Sequence, residues 1–164
     1  MAITINGGGT ITGLSATGIS AEPAFPGNIL QVVNGTTSTA VSTSGTTYID
    51  TGLTATITPS SASNKILVLV SQNGINKDNI NQNAGLNLKL FRGATEIGFG
   101  YVFGFTGSAI RNYPGTGSFC VLDSPATTSP VTYKTQFMND SGAGTVEVQR
   151  VNSTSQITLL EVAA

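Results

Sequence analysis

Short apolar runs separated by turn residues recur along this sequence, and no stretch has the apolar spacing of an amphipathic helix. Many of the runs alternate apolar with polar residues, which is typical of strands that bury one face. The pattern predicts strands at 29–33, 40–42, 46–50, 53–58, 65–72, 86–91, 98–105, 119–122, 131–138, 145–151 and 157–162. We take these eleven candidates to form roughly nine or ten strands in one domain, which predicts an all-β fold, a jelly-roll-like antiparallel β-sandwich.

Two segments near the middle of the chain carry clear local signals. Gly93 and Ala94 stand between two strand candidates, which predicts a two-residue hairpin turn with glycine in the first position. The polar stretch 73–84 predicts a loop on the surface.

The strand candidate at 65–72 is apolar at every position from Ile66 to Val70. Both of its faces should therefore be covered, one by the core and one by another sheet or subunit. Ile66, Val68 and Val70 are accordingly candidate residues of an oligomer interface.

Aromatic and small residues alternate on the strand that follows the hairpin turn. One face would carry Phe99, Tyr101, Phe103 and Phe105, and the other Gly98, Gly100, Val102 and Gly104. Glycines on one face allow another backbone to approach closely. Three interpretations remain open: the aromatic face packs under the facing sheet, it packs in a subunit interface, or it is exposed and stacks on sugars.

Residues 1–27 predict an N-terminal arm in front of a sandwich domain at 28–164. Pro23 and Pro26 interrupt any regular element between the two, because proline lacks an amide donor and restricts the residue before it. An isolated hairpin is marginally stable, so the arm needs a partner surface. It is predicted to add strands to an exposed sheet edge on a partner. The side chains that would enter pockets there are Ile3, Ile5, Ile11 and Leu14.

Charge is scarce, at 9% of the residues with a net charge of −1, and this excludes several classes of function. No basic stripe is present to neutralise phosphates, so no nucleic-acid partner is expected. No apolar run approaches the roughly 18–20 residues of a membrane span, so no membrane partner is expected. The amino terminus lacks the features of a signal peptide, and synthesis in the cytoplasm is expected.

Catalytic and metal-binding chemistry lack the residues that they usually require. The chain has no histidine, which removes the commonest metal ligand and the usual partner that activates a nucleophile. Its single cysteine, Cys120, cannot build a cysteine-rich zinc site, and its apolar neighbours predict a small buried side chain. The acidic residues are scattered singly rather than paired. No catalytic residue, metal or cofactor is expected, and the chain is not expected to be an enzyme.

Three segments, in order, resemble small virion proteins of tailed bacteriophages from marine and freshwater hosts. They are MAITINGGGTITGLSATGI at the start, ITPSSASNKILVLVSQNGI at 57–75 and STSQITLLEVAA at 153–164. The group includes tail-fibre and capsid-decoration components. The resemblance implies a β-sandwich displayed on the particle surface, commonly as a trimer, and it supplies no catalytic residues.

These observations favour a trimeric capsid decoration, or cement, protein that binds the major capsid protein or another virion protein. An arm of 27 residues spans at most roughly 90 Å when extended, too short for a long fibre shaft but suited to a knob on a shell. The alternative is a tail-fibre or receptor-binding tip that recognises a host surface glycan. A free carbohydrate-binding domain is a third interpretation.

Overall fold

The computed structural model describes residues 26–78, 85–104 and 115–164, with residues 78 and 101–104 described by their backbone alone. Within these ranges the chain consists almost entirely of antiparallel strands, which confirms the all-β prediction. None of the described residues belongs to a helix long and apolar enough to cross a membrane. The strands are β1 (Ile29–Thr37), β2 (Val41–Thr43), β3 (Ile49–Ile57), β4 (Lys65–Asp78), β5 (Gly85–Arg92), β6 (Thr95–Gly104), β7 (Gly115–Asp123), β8 (Val131–Asn139), β9 (Thr145–Val148) and β10 (Ser155–Val162), and a short 3-10 turn at Arg150–Asn152 precedes β10.

The strands pair as one long hairpin that is folded over on itself. β5 pairs with β6 across the turn at Gly93 and Ala94. Moving outward from that turn, β4 pairs with β7, β3 with β8, β2 with β9 and β1 with β10. Gly93 has a φ of 55°, as the first position of such a turn requires. The predicted hairpin turn is therefore confirmed, and it lies at the centre of the topology.

Two further pairings fold the long hairpin into two sheets. β10 pairs with β4, which gives the order β1-β10-β4-β7, and β8 pairs with β5, which gives β3-β8-β5-β6. Counted outward from the turn, the first four pairs of the hairpin thus alternate between the sheets, as they do in a jelly roll, and β1–β10 lies in the same sheet as β2–β9. The far end of β4 pairs with β9 and so joins the short β2–β9 pair to the first sheet. The observed order confirms the predicted jelly-roll-like sandwich.

The inner faces of the two sheets meet in two apolar clusters. The larger cluster contains Leu53, Ala55, Ile57, Ile66, Val68, Val70, Leu90, Val131, Tyr133, Ile157 and Leu159. The smaller cluster contains Ile75, Leu86, Leu88, Phe137, Val146 and Val148. Together they form the core of the sandwich.

Buried hydrogen bonds separate the two clusters and connect the two sheets. The hydroxyl of Thr51 in β3 lies 2.6 Å from that of Thr135 in β8, and Thr135 donates to Oε1 of Gln72 in β4 at 2.9 Å. The Gln72 amide then donates to Oγ of Ser155 in β10 at 3.0 Å. All four side chains are buried. Because an unpartnered buried polar group costs about 1–3 kcal/mol, these bonds fix the relative positions of four strands.

One surface loop predicted from the sequence is in part a buried strand. Residues 73–78 continue β4, and both Asn76 and Lys77 are buried. Pairing with β9 supplies partners for the backbone of this segment, and polar composition gives no sign of that long-range pairing. Residues 79–84, the rest of the predicted loop, lie outside the described residues.

The two strand candidates at 46–50 and 53–58 form one strand, β3. Its pairing with β8 is irregular between Asp50 and Thr54, and Gly52 in this interval has a φ of 83°. The interruption that the sequence places between two strands is therefore a bulge inside one strand.

Gly35 allows β1 and β3 to approach closely at one side of the sandwich. A Cβ atom at this position would collide with the carbonyl oxygen of Thr54 and would lie 3.2 Å from the Cβ of Ala55. The contact is to backbone in the facing sheet, which cannot move away as a flexible side chain could.

We expect Gly35→Ala to lower the free energy of unfolding by about 1–3 kcal/mol, because β1 and β3 must separate to admit the methyl group. Gly45→Ala is the matched control, since its Cβ would lie 3.5 Å from the nearest atom, an ordinary contact. Urea unfolding followed by circular dichroism measures both variants. Equal stability of the two variants would contradict a tight contact at Gly35.

Candidate interaction surface

The outer face of the β1-β10-β4-β7 sheet carries a row of apolar side chains that crosses all four strands. The backbone register places Val32, Leu160, Leu67 and Leu122 next to one another in that order. Val32 and Leu122, at the two ends of the row, are 59% and 53% exposed. An antiparallel sheet with one solvated face usually carries polar side chains there, so this row is an exception to the pattern.

The neighbouring row on each side of this one adds two more apolar residues. Ile29 pairs with Val162, and Leu69 pairs with Cys120. We call the following eight residues the apolar face: Ile29, Val32, Leu67, Leu69, Cys120, Leu122, Leu160 and Val162. At the other end of the sheet the outward side chains are Thr36, Ser71, Ser118 and Gln156. Among the outward side chains of all these rows, Lys65, which pairs with Val162, is the one that carries a charge.

A groove lies where the apolar rows meet the polar rows. Its volume is about 360 Å³, and it is lined by Leu69, Val70, Ser71, Phe119, Gln156 and Thr158. A contiguous exposed apolar area on a protein surface typically marks an interaction site. The apolar face and its groove are therefore the candidate interaction surface.

Strand alternation places the predicted interface residues of β4 in the core. Ile66, Val68 and Val70 are buried in the larger apolar cluster, and this corrects the prediction that they contact a partner. Leu67 and Leu69 have the opposite orientation and belong to the apolar face. The strand is indeed apolar on both sides, but the residues that a partner could reach are the alternate ones.

The burial predicted for Cys120 is wrong. Cys120 pairs with Leu69 on the outer side of the sheet and is exposed. Its apolar neighbours suggested a core position, but Phe119 and Val121, which alternate with it, are the residues that pack against the core.

The outer face of the β3-β8-β5-β6 sheet has a different chemistry. One row across it contains Asp50, Gln136, Lys89 and Phe99. The Lys89 ammonium lies 4.4 Å from the ring centroid of Tyr48 and 5.6 Å from that of Phe99. It also forms an ion pair with Glu96 at 2.6 Å. This face is polar and charged, with aromatic rings around one cation.

The predicted aromatic face of β6 is directed outward where the structure describes it. Phe99 is 50% exposed, whereas Gly98 faces inward, and a Cβ there would lie 3.2 Å from the Phe119 ring in the other sheet. The interpretation that Phe99 belongs to the core is therefore wrong. The side chains of Tyr101 and Phe103, and all of Phe105, lie outside the described residues, and their predicted positions stay predictions.

The chain enters the sandwich at the apolar end of the first sheet. Pro26 and Gly27 form a turn, and the Gly27 amide donates to the Ala163 carbonyl at 2.9 Å. The Ala163 amide donates to the Asn28 carbonyl, also at 2.9 Å. The arm candidates Ile3, Ile5, Ile11 and Leu14 lie outside the described residues. The structure does describe the point at which the arm joins the sandwich, and this point lies beside Ile29.

A buried carboxylate holds this entry end together. Glu161 in β10 accepts hydrogen bonds from the Gln31 and Asn64 side-chain amides, each at 2.6 Å, and from the Ser60 amide and hydroxyl, each at 2.7 Å. Burial alone would raise the pKa of Glu161, but the hydrogen bonds from Asn64, Gln31 and Ser60 outweigh it and lower the pKa to about 2. Sequence reasoning did not find this site, because its donors come from β1 and from the loop between β3 and β4, both distant from Glu161 in the sequence.

A second polar contact fixes the opposite edge of the apolar face, next to Leu122. Arg92 in β5 donates to both carboxylate oxygens of Asp123 in β7, at 2.8 and 2.9 Å. The Tyr133 hydroxyl in β8 donates to the same carboxylate at 2.7 Å. Burial, together with the hydrogen bond to Asp123, raises the pKa of the Tyr133 phenol. These bonds tie edge strand β7 to the second sheet and make its position rigid.

The lowered pKa of Glu161 predicts a loss of stability in acid. The folded-state pKa of about 2 lies below the ordinary value of 4.5, so the stabilisation is complete above pH 4.5 and is lost as the pH falls toward 2. A shift of this size corresponds to about 3 kcal/mol. We expect Glu161→Gln to be destabilised by a similar amount at pH 7 and to lose that part of the pH dependence.

Glu147→Gln is the matched control, because Glu147 forms a surface ion pair with Arg150 that is worth at most about 1 kcal/mol. Urea unfolding at pH 7, 4 and 3 measures the three proteins. A Glu161→Gln variant with the acid sensitivity of the unmodified chain would contradict the assignment.

Comparisons with known proteins add little to this geometry. No protein-family model matches the chain, and no curated protein matches it. The VP2 subviral particle of infectious bursal disease virus is similar with a TM-score of 0.43 and 11% identity, over 83% of this chain and 39% of that one. The Gx strain of the same virus gives a TM-score of 0.40 and 14% identity, over 92% of this chain and 42% of that one. This chain spans less than half of either, and likeness at this level does not indicate function.

Within the part of the chain that the structure describes, no three His, Cys, Asp or Glu side chains come together as a metal site. The described surfaces with distinct chemistry are thus the apolar face on one sheet and the aromatic, charged face on the other.

Proposed function

We propose that this chain is a non-enzymatic structural protein of a bacteriophage particle, a decoration protein that binds the outer shell as a trimer. The observation that carries the proposal is the apolar face, which is exposed, almost uncharged and next to the departure point of the arm. The jelly-roll order of the strands supports it, because viral capsid and lectin domains use this architecture. The three segments that resemble phage virion proteins support it independently.

The two faces of the sandwich suit opposite surroundings in this proposal. The arm and the apolar face share one side of the molecule and form the attachment side toward the shell. The β3-β8-β5-β6 sheet carries Asp50, Lys89, Glu96 and Lys134 and faces solvent. Contacts between copies in a trimer would not use Ile66, Val68 and Val70, because these side chains are buried in the core.

We expect Leu122→Glu to weaken binding to shells that lack this protein by more than about thirtyfold. The substitution places a charge within an interface that is otherwise apolar, a cost of about 2 kcal/mol. Ser118→Glu is the matched control, because it adds the same charge to the same face of β7 at its polar end. Cosedimentation of purified protein with the shells measures both variants.

Deleting residues 1–20 should leave a folded trimer with nearly the same melting temperature but abolish attachment in the same assay. A copy number of hundreds per particle, counted by mass spectrometry, is expected for a decoration protein. A few copies per particle, or full occupancy by the truncated protein, would contradict the proposal.

The second candidate function is that of a tail-fibre tip that binds a host surface glycan. The exposed Phe99 ring and the nearby Tyr48 favour it, because aromatic rings stack on sugars and the adjacent Asp50 and Gln136 offer hydrogen-bonding groups. If this function holds, Phe99→Ala should reduce binding to host polysaccharide by about tenfold, the loss of one stacking contact of about 1.4 kcal/mol.

Thr132→Ala, on the same sheet but paired with Thr56 away from the rings, is the control for that experiment. Isothermal titration with polysaccharide from the host surface measures the affinities. Equal affinity of the two variants would exclude the Phe99 ring as a sugar-binding residue.

A further inference from the structure

Strand β1 is the outermost strand of its sheet, so one side of its backbone has no strand partner among the described residues. On the other side it pairs with β10, and this pairing is regular from Gln31 to Thr37. In an antiparallel sheet the backbone groups of successive residues point alternately to the two sides of the strand. About half of the amides and carbonyls of 31–37 therefore point away from β10, where a further strand can bond to them.

Edge strands usually carry a feature that prevents pairing with another chain, such as a charge, a proline, a bulge or a very short length. Residues 31–37 of β1, with the sequence QVVNGTT, have none of these features, because the one irregularity of β1 lies before Gln31. The other described edges each carry one: β2 has three residues, β3 has Asp50 and the bulge at Gly52, β6 has Glu96 and β7 ends at Asp123. The edge of β1 is therefore the one best suited to accept another strand.

The segment 31–37 is suited to pairing with a second copy of itself. Asn34 is its central residue, so two antiparallel copies that pair over the whole segment place Asn34 opposite the same residue of the other copy. Its Oδ1 accepts one hydrogen bond, from Thr158 at 3.1 Å, and keeps a second lone pair for the opposite amide. In this register Val32 lies opposite Thr36, a favourable pair of β-branched side chains, and no like charges meet. Val32, Asn34 and Thr36 are all exposed, so no buried side chain has to move.

We propose that β1 joins two copies of this chain edge to edge, as antiparallel strands related by a two-fold axis through Asn34. The axis is perpendicular to the sheet, so the two β1-β10-β4-β7 sheets become one and their apolar faces lie on the same side. This two-fold contact is separate from the threefold contacts of the proposed trimer and does not rest on the proposed function. On a shell it would link copies of neighbouring trimers.

The size of the contact indicates that it is weak in dilute solution. Residues 31–37 span roughly 23 Å at about 3.3 Å per residue, and a sheet is about 10 Å thick, so each copy contributes roughly 230 Å². A stable interface usually buries about 800 Å² on each partner. The contact should therefore form where copies are concentrated, and its test requires a method that traps it.

Disulfide crosslinking traps such a contact and reports its register. In a Cys120→Ser background, Asn34→Cys places two thiols directly opposite each other, with Cα atoms about 4.5–5.5 Å apart, which a disulfide can span. Thr36→Cys is the matched control, because it lies on the same face of β1 but its two copies would be four residues apart along the strands, about 13 Å. With copper phenanthroline as oxidant and about 100 µM protein, we expect the Asn34→Cys dimer to form about tenfold faster, as measured by nonreducing electrophoresis.

A mixture of two variants tests the register with Asn34 unchanged. Val32→Cys and Thr36→Cys lie opposite each other in the proposed pair, whereas neither lies opposite its own copy. With one protein labelled with nitrogen-15, mass spectrometry distinguishes the mixed dimer from the two homodimers. The mixed dimer should form about tenfold faster than either homodimer.

Equal rates for Asn34→Cys and Thr36→Cys would overturn the inference, because random collisions do not distinguish the two positions. A mixed dimer that forms no faster than the homodimers would also overturn it, as would the absence of any dimer, since the edge of β1 would then pair with something else or with nothing. The expected crosslinks combined with no attachment to shells would count against the proposed function alone.

Discussion

The fold depends on one constraint, the reversal of the chain at Gly93 and Ala94. All five strand pairs of the long hairpin are nested about this turn, from β5–β6 outward to β1–β10. A shift of one residue there would move the apolar side chains of β5 or β6 to the wrong face, since side chains alternate with a period of two. The left-handed conformation of Gly93 thus sets which residues of β5 and β6 reach the core.

Buried polar contacts then fix the strand register that the turn alone does not determine. Apolar side chains can slide past one another at small cost, but the bonds from Thr51 through Thr135 and Gln72 to Ser155 can form in one register only. Glu161 acts similarly at the entry end, where β1 and the loop between β3 and β4 converge on one carboxylate of β10. Both networks lie directly beneath the strands of the apolar face. The positions of its side chains are therefore set from inside the sandwich.

The sequence predicted the parts of this structure that depend on local pattern. The alternation of apolar and polar residues located the strands, and the Gly93-Ala94 pair located the hairpin turn. The predictions fail where contacts between residues that are distant in the sequence determine whether a side chain is buried. Lys77 is buried because β9 pairs beside it, and Cys120 is exposed because Phe119 and Val121 take the inward positions. In a run that is apolar on both faces, such as 66–70, the pattern does not say which alternate set faces a partner. The donors of Glu161 lie too far apart in sequence to be recognised.

The unequal chemistry of the two outer faces explains why a chain with so little charge can still present a polar surface. The ion pairs of Lys89 with Glu96 and of Lys134 with Asp50 concentrate four of the charged groups on one sheet. The outward rows of the opposite sheet that hold the apolar face carry one charge, Lys65, at their margin. Surface ion pairs contribute little to stability, so this distribution is not needed to hold the sandwich together. Its physical effect is to keep one face hydrated and to leave the other free to lose its water when a peptide or a protein surface covers it.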